Sequence, residues 1–317
     1  MRRFAILATA AMFAAGVAAC GSSSKSSSST DTTTSAGATT TTSSTAPNTP
    51  TTALAGIDCS GTSAYVTDIG KATDFKPVIP DTLTIVTSLP GPGFFVGSDS
   101  DPTKITSGYE YDMAKAMQQA FGLSKLVIRN ENFDSIVAGT VAKYDVALSQ
   151  ISITCDRAKV VKFSIPYFQS NQGVLINKGG PSITTLAEAK TVQWGVQVST
   201  TAKDLLDKIK PDKQVKVFPQ LSDVYAALQA HQIDAVLIDT AINLGEAAQS
   251  NGKFQVVSQF AQTGGPDQYG AILPKDSTNA GAVNAVLKNL EDSGQLSQLA
   301  KTDLTADPGT LPLIQVP

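Results

Sequence analysis

The chain is poor in the residues on which much protein chemistry depends. Its 317 residues include one histidine, His231, one tryptophan and three cysteines, and only 16% of positions are charged. With a single histidine and no Cys-x-x-Cys pair, a zinc site, a haem attachment site and a Ser-His-Asp triad are all poorly supplied. No metal or other cofactor is therefore expected. No block of Lys and Arg interrupts the sequence, which argues against nucleic acid or anionic lipid as a partner. The apolar run from Phe4 to Val17 is too short to span a bilayer well.

That run has a different meaning. Arg2 and Arg3 precede it and the small residues Val17-Ala18-Ala19 close it just before Cys20, the pattern of a secretory signal over 1–20. Cys20 directly after Ala-Ala resembles a bacterial lipobox, whose cysteine is lipidated. A plain signal with a chance cysteine and a short membrane helix are the alternatives. Residues 21–56 are mostly Ser, Thr, Ala and Gly and read as a flexible tether unable to bury a core. The folded part is thus expected outside the cytoplasmic membrane, lipid-anchored. Setting Cys20 aside leaves Cys59 and Cys155, and an even remainder in an oxidising compartment suggests one disulfide, with two separate thiols as the alternative. Closing a loop of about 95 residues stabilises by at most roughly 4–5 kcal/mol in the chain-entropy picture.

From about residue 81 strand-like and helix-like segments alternate. TLTIVTS, KLVIRN, YDVALSQ, TVQWGVQ, QVKVFP and IDAVLID are short and rich in β-branched residues, while YEYDMAKAMQQAFG, FDSIVAGTVAK, TAKDLLDKI and LSDVYAALQAH carry helical spacing. The first helix places Met113, Ala116, Met117, Ala120 and Phe121 on one face and stops at Gly122. Such alternation predicts an α/β protein with largely parallel sheets. A faint repeat lies within it. Moved by 89 residues, the segment at 133–150 falls on 222–239, matching Asp134 to Asp223, Ala138 to Ala227, Asp145 to Asp234 and Leu148 to Leu237. The overlay suggests two lobes on one plan, with convergence of helix-turn-strand units as the alternative, and sets Gln150 and Asp239 at corresponding strand ends. Ligands of open α/β sheets gather at those ends, and a cleft between lobes is a common small-molecule site.

Three blocks in order carry a resemblance. GYEYDMAKAM, the long stretch FDSIVAGTVAKYDVALSQISITCDRAKVVKFSIPYF, and WGVQVSTTAKDLL are similar to signatures of the bacterial extracellular solute-binding proteins of the polar amino-acid family (family 3), the receptors of ABC importers. The resemblance runs from about 81 to 305. It implies a two-lobed periplasmic-binding-protein-like fold of type II, with the ligand cleft between lobes joined by two hinge strands. Lobe 1 is expected over 57–172 and 268–317, and lobe 2 over 173–267. PYFQSNQGVLIN and QYGAILPK would be the hinges, and the segments after residue 280 the closing helices of lobe 1.

The resemblance also implies roles. Arg157 would hold the carboxylate of a free L-amino acid, as a planar guanidinium suits a planar carboxylate. Thr201, at a helix start, and Ser152 would assist it. Asp239 would meet the ammonium, helped by Ser152 and Gln150, although Asp239 could instead cap the next helix. Phe133, Phe94, Phe95, Gln150 and Ser199 would line the side-chain pocket, Ser199 standing where the family usually has Gly. No cluster marks that pocket as cationic or anionic. The implied function is delivery of a polar or charged L-amino acid, by hinge closure, to an ABC permease, from a monomer without enzymatic activity. The same fold also serves cyclohexadienyl dehydratase-like enzymes and sensory surface lipoproteins.

Overall fold

The computed structural model describes residues 56–262, 264–304 and 310–316. The signal over 1–20, Cys20 and the tether up to residue 55 lie outside the described residues. All the described residues belong to one packed unit, Ser44–Pro317.

The strands are β1 (Thr82–Thr87), β2 (Lys125–Asn130), β3 (Val146–Ala147), β4 (Lys162–Ser170), β5 (Gln172–Asn177), β6 (Trp194–Gln197), β7 (Lys216–Phe218), β8 (Ala235–Asp239), β9 (Phe254–Ala261), β10 (Asp267–Leu273) and β11 (Leu313–Gln315). The α-helices are α1 (Tyr109–Ala120), α2 (Phe133–Val137), α3 (Cys155–Ala158), α4 (Leu186–Thr191), α5 (Thr201–Ile209), α6 (Leu221–Gln229), α7 (Thr240–Gln249), α8 (Ala280–Asp292) and α9 (Gln295–Asp303). They build two sheets, ordered β2-β1-β3-β10-β4 and β11-β9-β5-β8-β6-β7.

Each sheet is mixed rather than largely parallel. β1 runs parallel to β2 and β3, and β6 parallel to β7 and β8. The antiparallel pairs come from the strands that cross between sheets: β10 against β3 and β4, and β5 against β8 and β9. The chain leaves the first sheet between Ser170 and Gln172 and returns between Ala261 and Asp267, close to both expected hinges.

Two expectations need correction. FDSIVAGTVAK is helical only to Val137. Gly139 turns left-handed at φ +69° and its N–H bonds the Ile136 carbonyl, ending the helix; a Cβ at Gly139 would stand 3.0 Å from the Val160 carbonyl oxygen. The assignment of all of 268–317 to the first lobe also fails at its end. β11 pairs in parallel with β9 of the second sheet, and Ile314 is buried there. Hydrogen bonds available at an edge strand, not helix propensity, decide where that short apolar segment docks.

The internal repeat has a physical counterpart. Asp145 accepts hydrogen bonds from the amides of Val78 and Thr84, and Asp234 accepts one from Gln193. Each aspartate thus ties the start of a central strand to backbone beside it. Trp194 and the α1 residues Tyr109, Met113 and Met117 are fully buried. Phe121 is half-buried and stacks on Phe75 with ring centroids 3.9 Å apart. Cys59 and Cys155 are joined in a disulfide, which fastens the start of the described chain to α3, the helix that carries Arg157.

Candidate functional site

The carboxyl ends of β3 and β8 face a common cavity with about 410 Å³ of empty space, solvent at its mouth included. Gln150, Ser152, Phe133 and Arg157 come to its wall from the first-sheet side, and Thr201 and Asp239 from the second. Six of the nine residues expected at the site are therefore together.

Arg157 sits in α3, whose start is set by Thr154 accepting the Arg157 amide. Its Nη1 donates to the Ser152 carbonyl at 2.7 Å and its Nη2 to the Ser199 carbonyl at 2.8 Å, while the guanidinium lies over the Phe133 ring at 5.5 Å. The side chain is thus braced on both sheets. Burial lowers its pKa, and the carboxylates of Asp267, Asp239 and Asp204 act against that. Among the described residues no carboxylate oxygen lies within 4.0 Å of it. A guanidinium with five N–H groups and two carbonyl partners keeps donors for an incoming anion.

Asp239 occupies the position just before α7, but its side chain accepts no capping hydrogen bond from that helix. It is buried. Burial first, and the Asp267 carboxylate second, push its pKa well up, while the Tyr269 hydroxyl beside it acts in the opposite direction. Gln172 holds this corner: its Nε2 lies 3.3 Å from Asp239 Oδ1, 2.7 Å from Asp267 Oδ2 and 3.2 Å from Thr201 Oγ1. Thr201 in turn donates to Asp267 Oδ2 at 2.7 Å, so its hydroxyl is committed. What it can offer an anion is the backbone N–H of the first turn of α5, which has no partner within the helix. Ser152 Oγ lies 3.4 Å from Thr201 Oγ1 across the gap between the sheets.

Phe94, Phe95 and Ser199 are not part of the cavity wall. Phe94 and Phe95 are buried in the core. Both amides bond back to the Gly91 carbonyl, and the Phe94 ring packs among Tyr109, Phe168 and Tyr269 at centroid distances of 5.8, 5.7 and 6.1 Å. Apolar burial of two adjacent rings outweighs any use of them at a wet cleft. From the same loop it is Ser88 and Pro90 that reach the wall. Ser199 is exposed and left-handed at φ +63°, a conformation that glycine adopts more readily; it contributes its carbonyl to Arg157 rather than a side chain to the pocket.

Gln150, a wall residue, is also left-handed at φ +49°. Glu110, fully buried in α1, holds it there: the Gln150 amide donates to Oε1 at 2.9 Å and its Nε2 to Oε2 at 2.5 Å, with the Tyr167 hydroxyl on Oε1 as well. Burial raises the Glu110 pKa to about 7, against the pull of these three donors. Sequence reading missed Glu110, Gln172 and Asp267. Glu110 and Asp112 look alike as acids in a first helical turn, and nothing local distinguishes Asp267 within its hinge.

The role of Glu110 can be tested by pH. Its folded pKa lies above the unfolded value of 4.5, so the folded chain binds more protons between about pH 4.5 and 7, and stability falls as pH rises through that window. The full cost at higher pH is on the order of 3 kcal/mol. Glu110→Gln is expected to flatten the decline in melting temperature over that window and to weaken ligand binding about tenfold by loosening Gln150. An unchanged pH profile would refute the assignment.

No group of three or more His, Cys, Asp or Glu side chains able to hold a metal ion occurs among the described residues. The site offers one fixed cation, one buried acid and a set of neutral hydrogen-bonding groups, which is equipment for holding a small zwitterion.

Two sheets sharing one cavity, linked by crossing strands, define a receptor for a small solute. The chain belongs to the bacterial extracellular solute-binding proteins, family 3, whose sequence model matches residues 95–303. It is 28% identical over 198 residues to the arginine-binding periplasmic protein of Mannheimia haemolytica, covering 61% of this chain and 79% of that one. It is 31% identical over 170 residues to the ABC transporter glutamine-binding protein GlnH of Bacillus subtilis, covering 52% and 59%. Among solved structures it is similar to an ancestral arginine-binding protein bound to glutamine, with a TM-score of 0.62 and 28% identity over 71% of this chain and 98% of that one. The fold is the type II periplasmic-binding-protein fold. These relatives are binding proteins.

Proposed function

We propose that the chain binds a free L-amino acid outside the cytoplasmic membrane and presents it to the permease of an ABC importer, without transforming it. The observation that carries this reading is the pairing, in one cavity, of a braced guanidinium with no carboxylate within 4.0 Å among the described residues and a buried aspartate not used as a helix cap. Arg157 takes the α-carboxylate together with the first amides of α5. Asp239 takes the α-ammonium, with Ser152 and the Gln150 carbonyl as further acceptors. The relatives named for arginine and glutamine support an amino acid as the ligand class. In this reading 57–172 and 268–304 form one lobe and 173–267 with β11 the other, the protein acts as a monomer, and Cys20 carries a lipid.

Binding closes the lobes, because each holds half of the ligand and only the closed form holds both. Contacts that would form on closure include Arg157 to Ser199, Asn132 to Gln220 (2.6 Å), and α7 on the Pro92 loop. At the last of these a Cβ on Gly245 would stand 2.6 Å from the Pro92 carbonyl oxygen. Gly245→Ala is therefore expected to weaken ligand binding about tenfold while leaving the ligand-free melting temperature unchanged or slightly higher, since alanine favours a helix by up to about 1 kcal/mol. Equal losses in affinity and stability would contradict closure at this contact.

The reading as a whole is tested by melting the ligand-free protein against the twenty L-amino acids and assaying each mixture for turnover. At least one should raise the melting temperature by several degrees and be recovered intact. No shift across the panel, or consumption of the ligand, defeats it.

A further inference from the structure

We infer that the ligand is an amino acid whose side chain is uncharged and donates a hydrogen bond, an amide or a hydroxyl. This rests on the amino-acid reading above. Among the described residues, Arg157 and Asp239 are the only charged ones in the cavity wall, and the ligand's own carboxylate and ammonium occupy both. A side-chain charge would then be buried with no counter-ion, at a cost of several kcal/mol.

The nearest remaining acids do not serve as counter-ions. Asp267 Oδ2 already accepts from Thr201 and Gln172, and Asp267 is not part of the wall. Glu110 stands behind Gln150 and is saturated by Gln150 and Tyr167. A cationic side chain would also find no free ring to lie on. Among the described residues Phe133 is the only aromatic one in the wall, and Arg157 already covers it, while Phe94 and Phe95 are in the core.

What the wall does offer is neutral. Leu221, Ile238 and Ile242 supply apolar surface, and Ser149, Gln150 and Gln197 supply polar groups. The two amides are turned alike. Gln150 Nε2 donates to Glu110 at 2.5 Å and Gln197 Nε2 to the Pro219 carbonyl at 3.4 Å. One N–H of each amide is engaged in this way, and among the described residues neither amide oxygen accepts a hydrogen bond, so both oxygens remain as acceptors for a ligand. A side chain with an N–H or O–H donor and no charge satisfies them; a purely aliphatic one leaves buried acceptors unpaired.

The test is calorimetric titration of the full-length protein, freed of co-purified ligand, with Gln, Asn, Ser, Thr, Leu, Arg, Lys, Glu and Asp. One of the first four should bind at least tenfold more tightly than Leu and than any charged amino acid. Gln197→Glu should then raise affinity for Arg or Lys at least tenfold. Tightest binding of a charged amino acid by the unaltered protein overturns this inference and leaves the amino-acid reading standing, and so does tightest binding of Leu. Absence of binding by all nine overturns this inference, and absence of any shift in the twenty-member melting panel overturns the amino-acid reading as well.

Discussion

Arg157→Ala is expected to weaken ligand binding by at least about 100-fold. Removing one partner of a desolvated, hydrogen-bonded charge pair costs about 2–5 kcal/mol, and much of that is the ligand carboxylate left buried without its partner. The side chain also holds the carbonyls of Ser152 and Ser199, so its loss removes the brace between sheets together with the anion site. Ser199 is exposed, so its carbonyl can be rehydrated, while the carbonyl of the buried Ser152 loses one partner; the stability cost should be on the order of 1–2 kcal/mol, a fall of roughly 2–8 °C in melting temperature. Arg157→Lys should recover little, because one ammonium cannot meet two divergent carbonyls and a planar carboxylate together. Calorimetry alongside thermal melting separates the two effects. Near-native affinity in the alanine variant would refute the role given to Arg157.

Asp239→Asn should also lower affinity by at least about 100-fold, and it should do so while making the empty protein more stable at neutral pH. Burial and the Asp267 carboxylate raise the Asp239 pKa above its usual 3.8, so the folded chain holds a proton that the unfolded chain has released. Its contribution is favourable at low pH and declines as pH climbs from 3.8 through the raised folded value. Asparagine removes that slope. Docking of the α-ammonium has the reverse effect on Asp239: it favours the carboxylate and expels the proton. Binding by the unaltered protein should therefore release protons and tighten as pH rises, until Asp239 is ionised before the ligand arrives. Titrations in two buffers of different ionisation enthalpy measure the release directly. Asp239→Asn should abolish it; proton release that persists in this variant would place the titrating group elsewhere.

Both predictions concern residues legible in the sequence, and for different reasons. Arg157 is marked by its neighbours, a polar knot between apolar runs matching a known signature. Asp239 is marked by the internal repeat, which sets it opposite Gln150. Asp239 reaches the cavity as the last residue of β8, at the strand end where ligands of α/β sheets gather, and Arg157 reaches it from α3, the helix that follows the corresponding strand of the first sheet. Phe94 and Phe95 show the limit of such reasoning. A family position can say that a loop borders the cleft, but which of its side chains turns inward depends on how Gly91 folds the loop back and on the room among Tyr109, Phe168 and Tyr269.

The sequence by itself indicated the alternation of strands and helices, a faint repeat, Cys59 with Cys155 as the expected bond, and the candidate residues for meeting a carboxylate and an ammonium. These follow from periodicity, residue chemistry and motif order, which are local. Tertiary structure decided that the sheets are mixed, that β11 joins the second sheet, that Glu110 rather than its neighbours supports Gln150, and that Asp267 and Gln172 close the corner around Asp239. Each depends on groups far apart in the chain being brought within hydrogen-bonding distance, 95 residues apart for Gln172 and Asp267. Only the folded geometry can say which buried donor meets which acceptor.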